Sequence, residues 1–215
     1  MHKPIAIFIL SSVSFSHSAL AQGEANKLLE IHPPAEILLY SDFNHYKSDD
    51  LSSNEIGAVV KKGNMYFWGW SERDLHDYST LENAMGFGYK FELNNGFSIL
   101  PSFESIFAGD NNRTRAAISF NYQDNDWFAN YRVRRETAQD IDEKGTRHDF
   151  TFGYHINQYT ISYTRVITDV WLDTGNQDEF KLSYSGKNGV SPYVKYINND
   201  AYGDMLYQVG IQFTF

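Results

Sequence analysis

Between residues 80 and 93 the chain alternates with a period of two. Leu81, Met85, Phe87, Tyr89, Phe91 and Leu93 share one side with a single polar residue, Asn83; Thr80, Glu82, Ala84, Gly86, Gly88, Lys90 and Glu92 share the other. Successive side chains of a strand point to opposite faces, so this pattern predicts a strand that is apolar on one face only. The alternation returns over 116–122, 150–156 and 180–184. It also runs to the last residue, where Met205, Tyr207, Val209, Ile211, Phe213 and Phe215 are separated by Leu206, Gln208, Gly210, Gln212 and Thr214.

Twelve strands are predicted, over residues 35–46, 55–62, 64–72, 79–93, 96–107, 113–122, 127–136, 147–156, 159–168, 178–185, 190–198 and 205–215. Their connections alternate in length. KKGN (61–64), NNG (94–96), QDND (123–126), NQ (157–158) and SGKNG (185–189) are tight turns rich in Gly, Asn and Asp. KSDDLSSN (47–54), TAQDIDEKGT (137–146) and DVWLDTGNQ (169–177) are longer and more acidic. That rhythm predicts an all-β fold, a transmembrane antiparallel barrel of about 12 strands with short periplasmic turns and longer extracellular loops. Lipid cannot hydrogen-bond the backbone, so a membrane sheet has to close and leave no edge. A secreted sandwich would also use alternating strands but has no need of the loop rhythm. Some strands fit less well. Pro101 and Pro192 each lack a ladder donor, which predicts a bulge or a strand end. Arg165 shares the apolar register of Tyr159, Ile161 and Tyr163, and a bulge before Val166 is expected to turn it inward.

The start of the chain bears on location. Residues 1–21, MHKPIAIFILSSVSFSHSALA, have a positive start at Lys3, an apolar stretch too short to span a bilayer and a small-x-small end at Ala19–Ala21. This reads as a cleaved signal peptide. The expected division is signal peptide 1–21, an N-terminal periplasmic segment 22–34 and an outer-membrane barrel 35–215, in the cell outer membrane of a Gram-negative bacterium. There is no cysteine, so no disulfide supports the fold. Aromatic residues make up 16 % of the chain although 21 % is charged, which suits rings spaced among polar residues better than a buried globular core. Without Lys3 the balance is 17 basic against 27 acidic residues, a net charge of −10, which argues against nucleic acid as a partner.

Candidate chemistry lies on the polar faces. The alternation sends Arg113, Arg115, Arg132, Arg134 and Arg147 inward on three consecutive strands, with Lys90, Lys181 and Lys195 elsewhere. Guanidinium groups grip carboxylates bidentately and stay charged, so a row of them would pass an acidic solute from one contact to the next. Glu82, Glu92, Glu104, Glu136, Asp149 and Glu179 also point inward, so ion-paired filler is the competing reading. No metal-ligand spacing stands out and no cofactor is expected. A lipid hydrolase of this architecture would need Ser and His two residues apart on an outward face. His148 and His155 lie on opposite faces and neither has such a Ser, so an enzyme is not expected.

The segments GYKFELNNGFSILPSFE (88–104), DWFANYRVRRE (126–136), RHDFTFGYHINQYTISY (147–163), VSPYVKYINND (190–200) and YQVGIQFTF (207–215) resemble the oligogalacturonate-specific porin family, small monomeric outer-membrane channels that include the N-acetylneuraminate channels. The resemblance implies a twelve-stranded monomeric barrel conducting acidic oligosaccharides or sugar acids past facing tracks of basic side chains, with Arg132 and Arg134 on one track. It departs from that family on the wall of strands twelve, one and two, which offers mainly Leu206, Gln208, Gly210 and Gln212 where a second track would stand. The aromatic terminus Phe215 resembles the signal by which outer-membrane barrels are recognised by their assembly machinery. The expected partners are therefore acidic sugars, outer-membrane lipid and that machinery. The alternatives are a structural barrel with a plugged, ion-paired interior and, last, a lipid hydrolase.

Overall fold

A computed structural model of the chain describes residues 35–46, 51–109, 112–138, 144–170, 173–186, 188–199 and 204–215. The expected signal peptide and periplasmic segment, 1–34, lie outside these residues. The described residues form β1 (Glu36–Tyr46), β2 (Leu51–Lys62), β3 (Met65–Asp74), β4 (Thr80–Tyr89), β5 (Phe91–Glu92), β6 (Phe97–Phe107), β7 (Arg113–Gln123), β8 (Trp127–Ala138), β9 (Lys144–Ile156), β10 (Tyr159–Val170), β11 (Asp173–Tyr184), β12 (Val190–Asn199) and β13 (Asp204–Thr214). Apart from β4 and β5, which do not pair with each other but both pair with β6, each strand pairs antiparallel with its neighbours in sequence, and β1 pairs with β13. The sheet is therefore a closed barrel.

Thirteen elements make twelve positions around the ring, because β4 and β5 are one strand interrupted at Lys90. Gly88 pairs with Ser102 and Phe91 with Ile99 in one unbroken register, so the gap falls opposite Leu100 and Pro101. Pro101 has no N–H to offer there, and the neighbouring strand breaks where the ladder loses that donor. No bulge forms at Pro101, whose pairing with Ile118 on β7 continues in register. Pro192 stands one residue beyond the last pair with β11, Ser183 with Tyr193, where its missing donor is not needed. The ring is sealed at the C-terminus, where Ile37 N–H donates to the Phe215 carbonyl at 3.1 Å and Phe215 N–H donates to the Ile37 carbonyl at 2.9 Å.

The strands are longer than the alternation predicts. β2 begins at Leu51, β9 at Lys144 and β11 at Asp173, so each takes in polar residues that read as loop. Ladder pairing depends on the backbone, and it continues past the point where lipid stops demanding an apolar face.

The two faces are sharply different. Phe43, Ile56, Phe87, Phe103, Phe120, Phe150, Phe152, Phe180 and Val209 are exposed large hydrophobic residues. The opposite face is buried and holds most of the charge, alongside three small apolar clusters built on Trp70 and Ile106, on Leu38 and Tyr66, and on Tyr46 and Ile197. Several buried or partly buried rings lie against glycines of the next strand. A Cβ on Gly86 would stand 2.3 Å from the Trp68 indole, and one on Gly210 would stand 2.4 Å from the Tyr193 ring. Glycine there lets a large ring lie flat along the wall.

One expected bulge is absent. Pairing of β10 with β9 and with β11 is unbroken from Tyr159 to Asp169, so Arg165 stays on the outer face between Tyr163 and Ile167. Its Nη1 donates to Asp178 Oδ2 at 2.5 Å, and the Tyr163 hydroxyl donates to the other Asp178 oxygen at 2.5 Å. A counter-ion on the adjacent strand removes the penalty that made a bulge the cheaper choice.

Candidate functional site

The buried face of β7, β8 and β9 carries five arginines. Arg113, Arg115, Arg134 and Arg147 are buried and Arg132 is half-buried. Alternation alone brings them together, since each occupies the register opposite Ala116, Ile118, Tyr131, Val133 or Phe150. Arg134 stands directly opposite Arg147 in the ladder, and Arg115 opposite Glu136.

These arginines share four carboxylates. Arg113 pairs with Glu82, and its Nη1 reaches Glu136 Oε1 at 3.2 Å. Arg115 binds Glu136 through Nε and Glu104 through Nη1, the latter at 3.2 Å. Glu104 is held in turn by the indole N–H groups of Trp68 at 2.9 Å and Trp70 at 3.2 Å. Asp149 takes the remaining pairs, from Arg132 Nε at 2.7 Å and Arg147 Nε at 2.6 Å. Among the described residues no carboxylate pairs with Arg134, whose Nε and Nη1 are buried there without a hydrogen-bond partner.

Lys181 and Lys195 stand directly opposite each other on β11 and β12, with Lys195 also opposite Gln208 on β13, and Lys90 lies apart from them. Lys90 is half-buried beside Glu92 at 2.7 Å. Lys195 is buried with Glu179 at 3.4 Å, and Lys181 sits 3.8 Å above the Tyr193 ring. They do not join the arginine wall.

The facing wall is of the opposite kind. In a ring of twelve, β8 lies six strands from β1 in either direction, β7 lies opposite β13 and β9 opposite β2. On β13, β1, β2 and β3 the buried face carries Gln208, Asp42, Asn44, Glu55 and Glu72. Asp42 accepts hydrogen bonds from the Tyr193 hydroxyl and from Gln208 Nε2 at 3.2 Å. Glu55 accepts from the Tyr40 hydroxyl at 2.8 Å. Glu72 accepts from the Ser53 hydroxyl and from Asn44 Nδ2 at 3.4 Å. None of these three carboxylates has an ion pair among the described residues. Asn44 Oδ1 and Gln208 Oε1 are buried without a hydrogen-bond partner among the described residues. A second basic track is therefore absent from the described part of this wall, and hydrogen-bond acceptors stand in its place.

Sequence reasoning missed Asp42, Asn44, Glu55 and Glu72. The signal was present, since Leu38, Tyr40, Asp42, Asn44 and Tyr46 form one alternating set, but apolar residues on both faces of β1 hid it. Among the described residues no group of three His, Cys, Asp or Glu is placed to hold a metal ion.

No protein-family profile matches the sequence, and no characterised protein matches it by sequence. Solved structures do. A structure titled KdgM porin superposes with a TM-score of 0.73 at 20% identity, covering 83% of this chain and 99% of that one. A NanC porin structure gives 0.73 at 14% identity, covering 82% and 100%. Another KdgM structure, at 0.72, is titled a complex with disordered oligogalacturonate. The outer membrane phospholipase A from Escherichia coli is more distant, at 0.52 and 10% identity over 88% and 94%. The fold of this chain is thus the closed twelve-stranded barrel found in KdgM and NanC porins.

Proposed function

We propose that this chain is a monomeric outer-membrane channel for acidic solutes, oligogalacturonate-like or sialic-acid-like sugars, which pass through the barrel along the arginines of β7 to β9. The observation that carries this reading is the guanidinium of Arg134, buried beside Arg147 and without a carboxylate partner among the described residues. A buried charge with no partner costs several kcal/mol, roughly 3–5 when a pair is broken, so an arriving carboxylate gains an interaction that the protein itself withholds. Arg132, Arg147, Arg115 and Arg113 would flank that contact, and a solute carboxylate would exchange with Asp149 or Glu136 as it moves. Lys90, Lys181 and Lys195 would contribute weaker contacts away from this wall. Location in the outer membrane accords with the exposed apolar belt, which would face lipid, and with export by the sequence at 1–21. Phe215 would serve the assembly machinery, at the end of the strand that seals the ring.

Proteoliposomes carrying the folded barrel test this reading. Galacturonate should enter faster than galactose, and Arg134→Gln should narrow the difference by about fivefold, the factor of one modest ion pair. Equal entry of the two sugars, unchanged in the variant, would reject it. A structural barrel is favoured by a different observation, the linked pairs from Glu82 through Arg113, Glu136 and Arg115 to Glu104. That reading expects no measurable entry of either sugar.

A further inference from the structure

The arginine wall faces a wall that can only accept. Asn44 and Gln208 are direct partners in the ladder between β1 and β13, and both leave a buried amide oxygen without a hydrogen bond. Asn44 is 5% and Gln208 3% exposed, so these oxygens are shielded from bulk water. Their amide nitrogens are already committed, to Glu72 and to Asp42. What remains is a group of carbonyl and carboxylate oxygens with every nearby hydroxyl donor used up: Tyr193 on Asp42, Ser53 on Glu72, Tyr40 on Glu55. The nearest cations on that side are Lys195, the ladder partner of Gln208, and Lys181 opposite it; their closest contacts are Glu179 and the Tyr193 ring, and their field also reaches Asp42.

Counted along their strands from the same end of the barrel, the two walls lie at similar positions. Asp42 and Asn44 lie six and eight residues from the start of β1, Gln208 lies six before the end of β13, and Arg134 lies seven from the start of β8. Twelve strands about 4.8 Å apart and tilted about 40° close into a ring roughly 24 Å across between backbones, a span that long side chains narrow from both sides. Across that gap the field runs from one wall to the other, and a narrow passage with low-dielectric walls focuses it. A solute with charge of one sign satisfies one wall and is repelled by the other. A solute with both signs at opposite ends satisfies both.

We propose that the channel selects small zwitterions: the carboxylate is taken by Arg134 and a protonated primary amine by the oxygens of Asp42, Asn44, Glu72 and Gln208. This rests on the acidic-solute reading of the arginine wall and narrows it, because an acid that also bears a free amine fits where a simple anion fits one side only. An ammonium offers three N–H donors, which suits two unpartnered amide oxygens beside a carboxylate. Such an amine would also supply a counter-charge to Glu72, which has no ion pair among the described residues, while Asp42 already lies in the field of Lys195 and Lys181.

The probes are triglycine, its N-acetyl derivative and its amide, which differ in charge but little in size. In proteoliposomes, triglycine should enter about fivefold faster than N-acetyl-triglycine. Glu72→Gln and, separately, Asp42→Asn should erase that advantage, with entry of the N-acetyl anion rising as repulsion falls; agreement between the two guards against a folding defect in either. Equal entry of triglycine and its N-acetyl derivative through the wild-type barrel, or an advantage that survives both variants, would overturn the proposal. Arg134→Gln separates the two levels. If it slows the N-acetyl anion while the zwitterion shows no advantage, the acidic-solute reading stands and this one falls; if it leaves the N-acetyl anion unchanged, both fall.

Discussion

Arg134 and Arg147 stand opposite each other on β8 and β9, two like charges paired across a ladder, with Asp149 bonded to Arg147 and, among the described residues, no carboxylate bonded to Arg134. Like charges directly opposite destabilise a sheet, and a buried guanidinium with unmade hydrogen bonds costs more still. This arrangement weakens the barrel locally and is accounted for if Arg134 serves something that passes.

Replacing Arg134 with Gln should therefore stabilise the folded barrel by about 1–3 kcal/mol. Urea unfolding of the barrel in liposomes measures it. A comparable loss of stability would mean that Arg134 has a structural partner.

The outer-face pair makes a separate prediction. Asp178→Ala removes the counter-ion of Arg165 on the outer face and should cost up to roughly 2–4 kcal/mol. Arg165→Leu with Asp178→Leu removes both charges and should restore most of that loss. Conductance should be unaffected throughout, because neither side chain lies on the buried face. A conductance change in Arg165→Leu would place the side chain inside.

Gly86→Ala should cost about 1–3 kcal/mol by overpacking, since its Cβ would fall within the Trp68 ring. Displacing that indole also removes one of the two N–H groups on Glu104. Trp68→Ala in the same chain should make Gly86→Ala harmless. Additive losses in the double variant would show that the two residues do not touch.

Deleting Phe215 removes both backbone bonds to Ile37 at the seam as well as the terminal ring. The amount of heat-modifiable barrel recovered from outer membranes should fall while export continues. Phe215→Ala, which keeps the seam bonds, should show most of the same fall if the ring is an assembly signal. Wild-type recovery in Phe215→Ala would assign the loss to the seam.

Much of the fold was legible because lipid enforces a period of two. Phe150, Phe152, Tyr154 and Ile156 must face outward wherever lipid touches β9, and Arg147 and Asp149, in the opposite register, are buried. Strand ends were legible only where apolar pressure persisted, which is why β11 starts at Asp173 although Phe180 is the first clear signal. Arg165 was misplaced because its partner, Asp178, lies on another strand, and alternation within one strand carries no information about counter-ions on the next. The acceptor wall was missed for a similar reason. Asp42, Glu55 and Glu72 are 13 and 17 residues apart in sequence and become one group only when β1, β2 and β3 are paired in register.

Single-channel recording with trigalacturonate tests the central claim, that Arg134 presents its free guanidinium to an acidic solute, most directly. The wild-type channel should show interruptions of current whose frequency rises with trigalacturonate concentration, and Arg134→Gln should shorten each interruption by about fivefold to tenfold. Interruptions of the same length in wild type and variant, or none in either, would contradict it.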